Sequence, residues 1–303
     1  MADHSTVITD TSQLVDWVAA GAKPKPDWRI GTEHEKILFH RGDFSPVAYE
    51  GADGVGAMLG ALCAHIGDKA RPIMEKGHII GLKDGEGGSV TLEPGGQLEL
   101  SGAPLVNLHQ TCAETGRHLK HMRAVTAALG LGMLGIGFQP KWGRDDIPWM
   151  PKGRYNIMRN YMPKVGRFGL DMMLRSCTVQ VNLDYSDEVD MRRKFRTSLV
   201  LQPVATALFA NSPFRDGKPS GLLSTRAEAW TDTDNARCGV PACVFDPGFG
   251  YEQWIDYILD VPMYFLHRGD DYIDVAGQSF RDYLASRLAG FEGMPPNMAD
   301  FED

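Results

Sequence analysis

Four glutamates stand at spacings that could gather carboxylates. In the run GTEHEK, Glu33 and Glu35 are two residues apart, and on an extended strand such a pair points to one face about 6 to 7 Å apart. In SVTLEPGGQLELSGAPL, a turn at Pro94, Gly95 and Gly96 sets Glu93 opposite Gln97 and Thr91 opposite Glu99. Glu93 and Glu99 then share one face, and Leu92, Leu98 and Leu100 occupy the other. Two readings fit. One is a solvated face on an antiparallel sheet. The other is a magnesium cage, since hard divalent cations take oxygen ligands and relieve the repulsion among clustered carboxylates.

A second chemical feature is positive. Between Ile147 and Leu170 stand Lys152, Arg154, Arg159, Lys164 and Arg167 with no acidic residue among them. Gly and Pro interrupt the segment, which reads either as a loop able to fork guanidinium groups onto phosphate or carboxylate oxygens, or as a solvated basic surface. Acidic cage and basic loop together suit phosphoryl transfer, which needs metal ions on the phosphates and fixed positive charge on the moving group. Arg226 and Trp230, four apart in STRAEAW, share a face if that stretch is helical. His109, His118 and His121 match no metal-ligand spacing and read as core or surface residues, as do Cys238 and Cys243.

Positioning these groups requires strands and helices, and the pattern supplies both. A short amphipathic helix is expected around Leu14 to Val18, then a strand from Arg29 to Phe39 and a β meander from His78 to Ser101. Apolar residues at steps of three, four and seven predict a long helix from Pro104 that Gly130 stops. Thr178 to Asp184 alternates strictly, predicting a half-buried strand with Val179, Val181 and Leu183 inward and Gln180 and Asn182 on the polar face. Helices are expected at Ser186 to Phe209, bent near Pro203, at Tyr251 to Leu259 and at Phe280 to Leu288, with a strand at Met263 to His267 and a frayed tail after Gly290. Antiparallel hairpins with helices between them point to the α+β class and a single domain over residues 1–303.

Composition limits the classes further. A net charge of −8 argues against a general nucleic-acid or anionic-membrane binder. Five cysteines without CxxC spacing fit a reducing compartment better than a disulfide or zinc framework. The N-terminus lacks a signal-peptide pattern, and the most apolar run, Ala127 to Phe138, carries four glycines and is too short to span a bilayer. The expectation is a soluble cytoplasmic protein.

The motifs GTEHEK, SVTLEPGGQLELSGAPL, MPKGRYNIMRNYMPKVG, CTVQVNLDY, LQPVATALFANSPF, LLSTRAEAWTDTD and VPMYFLHR, in this order, resemble the plant and proteobacterial type of glutamate-cysteine ligase. That resemblance implies a curved antiparallel sheet related to the glutamine synthetase catalytic fold, with helices outside and ATP, magnesium and glutamate inside. It implies ligation of glutamate to cysteine through γ-glutamyl phosphate, the first step of glutathione synthesis, by a monomer or homodimer. Glu33, Glu35, Glu93 and Glu99 would hold the metal, and Gln180 and Asn182 would complete a metal or nucleotide shell. Arg226 would meet the substrate carboxylate and Trp230 would wall the pocket, while Lys152, Arg154 and Tyr155 would cover phosphate or substrate. It further implies that the chain stops short of a strand bearing a Glu and an Arg, leaving either a slow ligase or a member that binds ATP or glutamate without turnover.

Overall fold

The computed structural model describes residues 6–269, 271–291 and 293–302. In chain order its strands are β1 (Ile30–His40), β2 (Arg71–Glu75), β3 (His78–Lys83), β4 (Ser89–Leu92), β5 (Leu98–Ser101), β6 (Leu131–Leu134) and β7 (Val179–Leu183), followed by two small hairpins, β8 (Phe214–Arg215) with β9 (Lys218–Pro219) and β10 (Phe265–Arg268) with β11 (Asp271–Asp274). The helices are α1 (Ser12–Ala20), α2 (Val55–Ile66), α3 (Leu108–Ala128), α4 (Gly153–Val165), α5 (Gly169–Arg175), α6 (Glu188–Phe209), α7 (Thr225–Trp230), α8 (Tyr251–Leu259), α9 (Phe280–Leu284) and α10 (Met298–Glu302).

The first seven strands form one open sheet in the order β2-β3-β4-β5-β1-β6, with β7 also paired to β1. Every pairing is antiparallel, and the molecule is of the α+β class. Long β1 is the axis. One edge pairs with β5, and the other pairs with β7 near its start and with β6 near its end.

Alternation decides which side is buried. Val90, Leu92, Leu98 and Leu100 pack in a core with Leu59 and Leu62 of α2 and Met122 and Val125 of α3, leaving the opposite, polar side of the sheet for Glu33, Glu35, Glu93 and Glu99. Helix α3 begins where the Asn107 side chain accepts the His109 and Gln110 amides and ends before Gly130, whose φ of +69° suits glycine. His118 is buried on α3, its pKa held down to about 4 chiefly by burial, and His121 lies edge-on to His65.

A second core joins α1, α8, α9 and α10 through Leu14, Ile255, Leu259, Phe280, Tyr283 and Met298. Two expectations change here. The tail is anchored rather than frayed: Met298 and Asp300 are buried, and Asp300 pairs with Arg268 of β10. Strand β7 forms as expected but is not half-buried: Val179, Val181 and Leu183 are exposed, because among the described residues β7 packs edge-on against β1 and no core residue covers its apolar face. Helix α6, with Pro203 inside it, likewise has no buried residue. Among the described residues no helix is long and apolar enough to cross a membrane.

Candidate active site

The sheet register brings the acidic residues together. Glu35 of β1 stands directly opposite Glu99 of β5, while Glu33 is flanked by Ser101 of β5 and Gln180 of β7. The hairpin register matches the sequence expectation, with Thr91 opposite Glu99 and the Glu93 amide donating to the Gln97 carbonyl at 2.9 Å. Neighbouring groups fix several carboxylate oxygens: Asn182 donates to Glu33 at 3.0 Å, the Thr178 amide to Glu35 at 3.0 Å, and the Ser101 hydroxyl to Glu99 at 2.8 Å.

Clustering raises the affinity of this face for protons. Burial, with Glu99 and Glu33 adding repulsion, pushes Glu35 from 4.5 up to about 7 against the Thr178 amide and Arg226. Glu93 also rises, chiefly through burial, with Lys152 opposing and Glu99 and Glu35 adding to it. Among the described residues no three His, Cys, Asp or Glu side chains are already gathered to hold a metal ion. The donor set is still that of a hard cation: four carboxylates, two of them held above their ordinary range by burial and mutual repulsion, are what a divalent ion would relieve.

Arg226 approaches from α7. Its guanidinium is drawn toward Glu35 and lies 5.5 Å from the centre of the Trp230 ring, so the helical i,i+4 relation holds. Both Arg226 Nε and Trp230 Nε1 are buried without a hydrogen-bond partner. Two such donors side by side suit an acceptor-rich ligand, since buried polar groups are ordinarily paired. Gln180 and Asn182 sit exposed beside Glu33, and their side chains touch only weakly, at 3.5 Å.

The basic segment differs from its sequence reading. Residues 153–165 of it form a helix, α4, rather than a loop, with Tyr155 and Met162 buried on one side, Ile157 buried as well, and Pro163 within its last turn. Only two of its five cations reach the carboxylates. Lys152 is buried, its Nζ donating to the Leu92 carbonyl at 2.6 Å, and Arg154 feels Glu93 and hydrogen-bonds Tyr155. Arg159 stacks on Trp149, Arg167 pairs with Asp232, and Lys164 is exposed at the helix end. The Tyr155 hydroxyl also donates to the Leu92 carbonyl, at 2.6 Å. Thr178 and Gln97 carried no sequence signal of their importance, since Thr178 acts through its backbone amide and the Gln97 side chain binds backbone groups that only the fold brings near.

Against known proteins, residues 29–289 match the model of glutamate-cysteine ligase family 2. The chain is similar to the chloroplastic glutamate-cysteine ligases of Nicotiana tabacum (57% identical over 290 residues), Medicago truncatula (57% over 291) and Arabidopsis thaliana (56% over 290), in each case over 96% of this chain. It spans 54%, 56% and 54% of those proteins respectively, so the chain spans just over half the length of the curated relatives it matches. Their names also correct the cytoplasmic expectation, because each is placed in the chloroplast. With the family model covering most of the chain and identity above half over nearly all of it, the chain belongs to glutamate-cysteine ligase family 2.

Proposed function

We propose that this chain carries the site for ATP-dependent ligation of the glutamate γ-carboxylate to the amine of cysteine, with magnesium held by Glu33, Glu35, Glu93 and Glu99. The observation that carries the reading is that the four glutamates share the polar side of the sheet, Glu35 opposite Glu99, with Arg226 beside Glu35. A γ-carboxylate oxygen attacks the terminal phosphorus of ATP, and ADP leaves. The cysteine nitrogen then attacks the γ-carbonyl carbon, phosphate leaves, and the nitrogen gives up a proton. Both partners of the first step are anions. Bound magnesium supplies charge neutralisation and Lewis acidity on the phosphate oxygens.

The residues of the chain do the rest. Arg226 forks onto the glutamate α-carboxylate with Trp230 as its wall, orienting the γ-carboxylate toward the nucleotide. Arg154 faces the developing negative charge, and Gln180 and Asn182 line the edge beside Glu33. The two cores serve one catalytic domain, because the hairpin β10–β11 packs Tyr272 against Gly153 at the start of α4 and pairs Asp271 with Lys76 at 2.9 Å.

The test mixes purified protein with ATP, magnesium, glutamate and cysteine and follows γ-glutamylcysteine and phosphate together. Equal yields of the two, each dependent on glutamate and cysteine, are expected. Phosphate release that is independent of glutamate and cysteine would sink the reading.

A further inference from the structure

The turn that carries Glu93 is held from two sides by contacts to its backbone. From α4 and the segment leading into it, Tyr155 and Lys152 both donate to the Leu92 carbonyl, each at 2.6 Å, and the Met150 amide donates to the Pro94 carbonyl at 3.0 Å. From the other side comes Gln97, 3% exposed, with every polar atom of its amide engaged. Its Oε1 accepts the Gly95 amide at 2.9 Å, and its Nε2 donates to the carbonyls of Met173 at 3.2 Å and Ser176 at 2.7 Å. Ser176 is two residues from Thr178, whose amide holds Glu35.

A buried amide with all its bonds made to backbone rigidifies the segments it joins. Gln97 thus ties the turn bearing Glu93 to the segment that holds Glu35. Tyr155 sets the strand end just before Glu93. We propose that Gln97 and Tyr155 are positioning residues for the carboxylate site, fixing Glu93 relative to Glu35, and that Tyr155 acts through Glu93 rather than by touching substrate. The proposal rests on the reading that these carboxylates bind a divalent cation.

Manganese is the probe, with the free aquo ion counted by electron paramagnetic resonance and the bound ion read by its line shape. Glu93→Gln tests the underlying reading alone: it should weaken manganese binding about tenfold or more, and an unchanged Kd overturns that reading. Tyr155→Phe removes one hydroxyl, alters no charge and leaves Lys152 on the Leu92 carbonyl, so the fold persists. Gln97→Met keeps the side-chain length and removes all three bonds. Both variants are expected to weaken manganese binding at least threefold and to change the bound-ion line shape, measured well below their melting temperatures. If Glu93→Gln loses binding while Tyr155→Phe keeps the parental Kd and line shape, the positioning role is wrong, whether or not Gln97→Met folds.

Discussion

At Glu35, burial and the neighbouring Glu99 and Glu33 act in one direction, and the Thr178 amide and Arg226 oppose them. The result, a carboxyl that titrates near 7 instead of 4.5, has a sign that can be checked. A raised folded-state value stabilises the fold below the unfolded value, and that contribution is lost as pH rises through the folded one. The metal-free chain should therefore lose stability between pH 4.5 and 7 on account of Glu35. In Glu35→Gln, melting curves should show a smaller fall over this window, and magnesium-dependent ATP binding should weaken about tenfold, worth ~1.4 kcal/mol. A pH dependence identical to the parent would exclude Glu35 from the acidic cluster. For Arg226, substitution by Lys keeps the charge and loses the two-pronged fork, so the glutamate KM is expected to rise about tenfold or more with the ATP KM little changed. The pairing of Arg226 with Trp230 was legible from their spacing. Gln97 was not, because its partners at Met173 and Ser176 lie far along the chain.

Among the elements, the β4–β5 hairpin was the most readable, since strict alternation and a Pro-Gly-Gly turn state its register locally. Helix α4 was the least readable. Its Gly153 and Pro163 look like loop markers, yet Gly153 opens the helix and Pro163 costs it one i→i−4 bond near its end, and the buried Tyr155 and Met162 decide the conformation. Strand β7 shows the other limit: alternation states which side chains share a face but not whether anything covers that face. The hairpin turn itself is tightly seated. A Cβ on Gly95 would lie 2.3 Å from the Leu174 carbonyl oxygen, a backbone atom that has little room to retreat. Gly95→Ala is expected to destabilise the chain by about 2 kcal/mol or more, seen as a lower melting temperature, and to weaken cation binding with it. Parental stability in that variant would mean the turn is looser than the packing around Leu174 implies.

Across the whole molecule, one sheet separates two jobs. Its apolar side builds the core with α2 and α3, and its polar side collects the carboxylates. The second core brings β10–β11 against the start of α4. The central claim is that the polar side brings the glutamate γ-carboxylate and the terminal phosphate of ATP together. Glutamate labelled with oxygen-18 in its γ-carboxylate tests this most directly, with the phosphate released during γ-glutamylcysteine formation analysed by mass. If the carboxylate attacks phosphorus and the amine then displaces phosphate, each phosphate carries one labelled oxygen. Phosphate released without label, while γ-glutamylcysteine accumulates or ATP is simply hydrolysed, would contradict it.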